Sequence, residues 1–198
     1  MRQPEPKILA SSRHRRMPWK NGGGETVEVA VYPEGSDLAG FGWRVSMATV
    51  ASDGPFSSFP DVDRTLAVLS GDGMELEIDG IGRQVLGPHG APLAFPADAP
   101  TFARLTGGPI TDLNVMTRRG LFAHTLERVS PGAGQRIATS HDWTLLLALA
   151  DLAVVSGDTP FGLAPLDVLL VEGRCDLRVP LGQAPGDACL IGIDRIHA

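Results

Sequence analysis

Residues 74–80 read Met74-Glu75-Leu76-Glu77-Ile78-Asp79-Gly80, with Met74, Leu76 and Ile78 alternating with Glu75, Glu77 and Asp79. A period of two puts the apolar set on the face of a strand that meets a core and the acidic set on the face that meets water. The Asp-Gly pair that closes the segment is a favoured hairpin turn. Working outward, the same period recurs in short stretches. Residues 26–32 align Val27, Val29 and Val31, and residues 43–50 bring Arg44, Ser46 and Ala48 to one face. Residues 64–70, 93–95, 101–105 and 112–118 extend the set to roughly eight strands, the number that lets a small barrel hold one ligand. With 24 glycines and 16 prolines, turns are frequent and no long helix is expected.

From about Gly120 the pattern restarts, with candidate strands at residues 143–148, 152–156, 167–171, 175–179 and 188–193. Asp63-Arg64-Thr65-Leu66 heads one strand pair and Asp142-Trp143-Thr144-Leu145 heads another, so the second half reads as a shorter echo of the first. Residues 143–155 could also form a buried helix, because short apolar runs do not separate the two by period; Thr144, Val154 and Val155 lean towards strand. The expected organisation is an N-terminal half over 1–120 and a shorter C-terminal half over 121–198.

The bulk properties exclude several classes. Apolar residues make up 43% and charged residues 20%, ordinary for a globular chain and far from a disordered one. A net charge of -6 leaves no general basic field for nucleic acid. The one basic run, Arg13-His14-Arg15-Arg16, reads as a solvated loop before the first strand. Cys175 and Cys189 form no CxxC pair, so neither a zinc knuckle nor a redox motif is indicated. The polar, proline-bearing start lacks the apolar core of a signal peptide, and the apolar run 145–155 is broken by Asp151 and too short for a bilayer. A cytoplasmic location without membrane or nucleic-acid partners is expected, with a homodimer left open.

Candidate chemistry concentrates in the first half. In Pro18-Trp19-Lys20-Asn21-Gly22-Gly23-Gly24-Glu25-Thr26 three glycines separate an aromatic and an amide from a strand. Successive glycines can expose N–H groups to an anion, or can simply form a turn that carries Trp19 into the core. Arg44 and Arg64 lie on alternating strands near Ser46, Ser57 and Phe59. An inward arginine is costly unless paired, so each needs a bound anion or a structural carboxylate such as Asp61, Asp63, Glu28 or Asp112. Asp112, Asn114, Met116 and Arg118 share a face, on which Asn114 would offer amide hydrogen bonds and Met116 an adaptable wall. The five histidines, His14, His89, His124, His141 and His197, stand apart, and residues 60–69 contain no HxH pair, so neither a metal nor another cofactor is expected.

PWKNGGGET (18–26), FGWRVSMA (41–48), GPFSSFPDVDRTLAVLSGDG (54–73) and DLNVMTRRG (112–120) together resemble the HutD/Ves family over most of residues 17–120. The resemblance implies an all-β bicupin, two cupin-like (RmlC-like) jelly-roll halves packed into one unit. It also implies a link with bacterial histidine utilisation and a pocket lined by Trp19, Asn21, Gly22, Gly23, Gly24, Arg44, Ser46, Ser57, Phe59, Arg64, Asn114 and Met116. Two functions fit. One is metal-independent binding of a small anionic metabolite, a histidine-degradation intermediate such as urocanate or an N-formyl- or formimino-glutamate, in a regulatory or accessory role. The other is a metal-independent hydrolase or isomerase in the same pocket, with Glu28, Asp63 or Asp112 as acid or base.

Overall fold

The computed structural model describes residues 5–19 and 22–197. Among them are nineteen strands and one short 3-10 turn at Ser11–Arg13, with no α-helix. The strands are β1 (Lys7–Leu9), β2 (Arg15–Pro18), β3 (Gly24–Tyr32), β4 (Trp43–Val50), β5 (Gly54–Pro55), β6 (Val62–Ser70) and β7 (Met74–Ile78). Next come β8 (Gly82–Leu86), β9 (Leu93–Pro96), β10 (Thr101–Leu105), β11 (Ile110–Arg118), β12 (Phe122–Val129) and β13 (Arg136–Thr139). The last are β14 (Trp143–Ala148), β15 (Leu152–Ser156), β16 (Thr159–Leu163), β17 (Val168–Glu172), β18 (Cys175–Arg178) and β19 (Ala188–Arg195). Residues 143–155 therefore form two strands, not a helix. Arg15 and Arg16 belong to an exposed edge strand, not a loop, and Arg16 pairs with Glu25 across β2 and β3 at 2.6 Å.

Two compact units result, one over Arg15–Ala123 and the other joining the segment up to His14 with the chain from His124 onward. The short strand β1 pairs antiparallel with β17, which explains why the N-terminal segment goes with the second unit. The first unit is a sandwich of a six-stranded sheet, β2-β3-β4-β11-β6-β9, and a four-stranded sheet, β5-β10-β7-β8. In the second unit the orders are β1-β17-β14-β19-β12 and β13-β18-β15-β16. Taken in chain order, β12 to β19 repeat the connectivity of β4 to β11: β4-β11-β6-β9 matches β12-β19-β14-β17, and β5-β10-β7-β8 matches β13-β18-β15-β16. The molecule is a bicupin by topology, each half a jelly roll of eight strands with extra edge strands.

Alternation decides which side chains meet between the sheets. In the first unit Ala48, Val50, Leu66 and Val68 of the larger sheet pack with Met74, Leu76, Ile78 and Ala103 of the smaller one. Glu75 and Glu77 point outward, where Glu75 pairs with Arg83 and Arg104. The second unit repeats this with Leu146, Ala148 and Leu169 against Leu152, Val154 and Leu177. Each such aliphatic side chain contributes on the order of 1.5–3 kcal/mol by leaving water.

Candidate functional site

The inner face of the six-stranded sheet is not uniformly apolar. Antiparallel register places Arg44 (β4), Met116 (β11), Arg64 (β6) and Phe95 (β9) side by side in one row. Glu28, Ser46, Asn114 and Leu66 form the next row, and Thr26, Ala48, Asp112 and Val68 the one after. Residues two apart along a strand share a face, so Arg44-Ser46 and Asp112-Asn114-Met116 converge as their spacing requires. The apolar cluster of Phe41, Val62, Ala97 and Met116 lies at one end of this polar strip and the main sandwich core at the other.

The two arginines have different fates. Arg44, only 4% exposed, donates from Nε to Glu28 Oε2 at 2.9 Å and from Nη1 to Ser46 Oγ at 3.2 Å, and its charge is answered inside the protein. Arg64 is 5% exposed and has no carboxylate within ion-pair distance among the described residues. Its Nη2 donates to the Ser57 carbonyl at 3.2 Å, while its Nε–H is buried with no hydrogen-bond partner. The guanidinium sits among three aromatic rings, its Cζ 5.2 Å from the centroid of Phe56, 5.5 Å from Phe59 and 5.7 Å from Phe95. Ring faces attract a cation without removing its need for hydrogen bonds, and an orphaned buried donor costs on the order of 1–3 kcal/mol.

Asp112 supplies the opposite charge at longer range. Burial pushes its carboxyl up to about 7, against the pull of Arg64 and of hydrogen bonds from Asn114 and the Ala48 backbone. Asn114 Nδ2 donates to Asp112 Oδ1 at 2.6 Å. Burial likewise brings Arg64 down to about 10, opposed by Asp112 and reinforced by Arg44, so the guanidinium stays charged at neutral pH. Asp63 turns away from Arg64 and pairs with Arg119 at 2.9 Å, and the Asp61 carbonyl accepts the Arg119 backbone N–H.

Of the residues expected to line a pocket, Arg44, Ser46, Arg64, Asn114 and Met116 share the inner strip, and Phe59 and the Ser57 carbonyl close over Arg64. The Ser57 side chain is exposed. Trp19 donates from Nε1 to Thr26 Oγ1 at 2.8 Å and packs on the sandwich core. The glycines belong to the β2–β3 turn: Trp19 N–H donates to the Gly24 carbonyl, and Gly22 N–H donates to the Trp19 carbonyl. Asn21 lies outside the described residues. Glu28 and Asp112, weighed from sequence as ion-pair partners or as an acid or base, belong to the strip itself. Phe56 and Phe95 escaped sequence reasoning, because nothing local to β9 tells that it lies beside Arg64. Among the described residues no three His, Cys, Asp or Glu side chains converge as a metal site would require. Cys189 is buried and its thiol is pushed up to about 11 by burial, unsuited to nucleophilic work.

Comparison with known proteins agrees with this architecture. The HutD family model matches residues 11–189. A 21.2 kDa protein from the hutC 3' region of Pseudomonas putida is 36% identical over 188 residues, covering 93% of this chain and 95% of its own length. Protein Ves of Cronobacter sakazakii is 41% identical over 109 residues, 53% of this chain and 58% of the relative. A conserved protein of unknown function from Pseudomonas aeruginosa PAO1 superposes with a TM-score of 0.87 at 32% identity, covering 96% of this chain and 99% of the other. HutD from Pseudomonas fluorescens SBW25, solved in a formate condition, gives 0.81 at 33% identity over 98% and 100%. Oxalate decarboxylase, at 12% identity, a TM-score of 0.63 and coverage of 96% and 78%, shows the shared cupin fold alone. The extent of these matches and the common bicupin topology lead to one conclusion: the chain belongs to the HutD/Ves family.

Proposed function

We propose that this HutD-family protein binds a small carboxylate at Arg64, between the sheets of its first unit, in a regulatory or accessory role. One observation carries the reading: among the described residues, a nine-tenths-buried guanidinium lacks an ion-pair partner and keeps an orphaned Nε–H. A carboxylate there would accept from Nε, and the desolvated setting would strengthen the contact. Met116 and the rings of Phe56, Phe59 and Phe95 would flank its apolar part. Access would run past the segment with exposed Ser57 and Ser58, which must swing aside. The hutC-region relative and the HutD neighbour direct the choice of ligand towards acids of histidine breakdown: urocanate, N-formylglutamate and formiminoglutamate.

A second reading, a metal-independent hydrolase or isomerase, draws on Asp112, whose carboxyl near 7 suits a general acid or base. One experiment serves both. A thermal-shift screen of these acids, with formate as the smallest carboxylate, should raise the unfolding midpoint for at least one, and Arg64→Ala should abolish the rise. Mass spectrometry of the incubated hit distinguishes binding, in which it stays intact, from turnover. An unchanged midpoint with every acid would contradict both readings.

A further inference from the structure

The second unit repeats the topology of the first but not its chemistry. At the end of β6 and β11 where Arg64 meets Met116, the matching strands β14 and β19 pair Thr144 with Gly192. Neither fills the space. The His141 ring does: a Cβ added at Gly192 would overlap its Nε2 and Cδ2 atoms, so only glycine lets the imidazole lie flat on the strand. Two residues further along β19, and so on the same face, Asp194 holds the ring by a contact of 2.7 Å from Oδ2 to Nδ1. A carboxylate can only accept, which puts a proton on Nδ1, and in the neutral imidazole Nε2 is then the acceptor. Nε2 makes no hydrogen bond with the described residues, and His141 lines an open groove of about 610 Å³ between β12, β13, β18 and β19.

The charges around that groove are mixed. Arg136 is occupied by Asp176, through two hydrogen bonds of 3.2 and 2.6 Å. Glu127 and Arg174 also line the groove and make no ion pair with each other or with any other described residue. One wall thus offers two acceptors, His141 Nε2 and the Glu127 carboxylate, and another a free guanidinium. We propose that this groove is a second ligand site, for a free amino acid, with its carboxylate on Arg174, its ammonium on Glu127 and a donor group on His141 Nε2. The contrast with the first unit sets the class: a buried lone cation selects an anion, whereas exposed charges of both signs beside a fixed acceptor select a zwitterion, which also sheds less hydration in an open groove.

His141 could instead serve only to tie its loop to β19, since Asp194 Oδ1 also accepts the Asp142 backbone N–H at 3.0 Å. Imidazole NMR on the full-length protein separates the two roles. The His141 ring signals, assigned by their loss in His141→Gln, are followed while each proteinogenic amino acid is titrated in. At least one should shift them saturably, its N-acetyl derivative and its methyl ester should each bind roughly tenfold more weakly, and Glu127→Gln and Arg174→Ala should each cause a similar loss. Arg64→Ala should leave that affinity unchanged, which keeps this site distinguishable from the carboxylate site of the first unit. The proposal is overturned if no amino acid moves the His141 signals, if the blocked derivatives bind as well as the parent, or if neither charge variant weakens binding.

Discussion

Arg44 and Arg64 flank Met116 in a single row, yet their surroundings predict opposite behaviour. Removing the partner of a buried charge leaves that charge uncompensated, so Glu28→Gln should cost about 3 kcal/mol, at the lower end for buried pairs because Glu28 keeps some exposure. Urea unfolding measures it, and a loss below about 0.5 kcal/mol, as for exposed pairs, would mean that the Arg44–Glu28 contact is not a structural pair. Asp112 adds a pH signature. Its carboxyl, raised to about 7 in the folded state, holds a proton that the unfolded chain releases near its ordinary value of about 3.9. The folded state therefore binds more protons across that window. Stability from this group is full below about pH 4, falls as pH rises, and levels off above about pH 7. Asp112→Asn should remove that slope whatever it does to the absolute stability, and an unchanged slope would show that another group titrates. Sequence spacing alone put Arg44 with Ser46 on one face of their strand and Asn114 with Met116 on one face of theirs; the register of β4 with β11 joins the two sets. Spacing left the charge partners open, because Glu28 reaches Arg44 across a strand pair whose register, shifted by a bulge between Glu28 and Ala30, cannot be read locally.

At the scale of elements, the glycine hairpin tests a structural role against a ligand role. Gly24 needs no unusual backbone, but a Cβ there would overlap the Thr49 carbonyl and press on the Trp19 ring. Gly24→Ala should thus cost about 1–3 kcal/mol through forced displacement. Gly22, at φ +70° with open space around it, should lose only about 1–2 kcal/mol on replacement by alanine, from the left-handed backbone. Neither change should alter carboxylate affinity, and a large loss of affinity at stability near that of the wild type would restore these glycines to the binding site. Most of the longer strands were legible because a half-buried face writes its period into the sequence: residues 43–50 and 74–78 match β4 and β7 to the residue, while the eight-residue β12, whose sequence carries no clean alternation, was missed. The two-residue β5 and the edge strands β1, β2 and β13 were not legible. Short edges carry too few alternations, and their partners lie far along the chain. The echo between Asp63-Arg64-Thr65-Leu66 and Asp142-Trp143-Thr144-Leu145 proved one residue out of phase. Arg64 shares its strand face with Leu66 and Val68, whereas Thr144, not Trp143, shares a face with Leu146 and Ala148. A slip of one residue reverses every side chain, and here it puts Trp143 on the opposite face of its strand from Leu146 and Ala148.

At the scale of the whole molecule, two copies of one jelly-roll topology have been given different interiors. In the second unit the face between the sheets is closed by leucine, valine and alanine, and polarity is pushed out to the groove. In the first, a strip of charged and amide groups is kept between two apolar clusters at a cost in desolvation that a hydrophobic replacement would avoid. Such a strip is explained if a ligand completes it, and the incomplete member is Arg64. The most direct measurement is a crystal structure of the protein grown with whichever acid raises the unfolding midpoint most. A carboxylate oxygen within hydrogen-bond distance of Arg64 Nε, among Phe56, Phe59 and Phe95, is the predicted result. An acid bound elsewhere, with Arg64 Nε still unpartnered or engaged by a protein carboxylate, would contradict it.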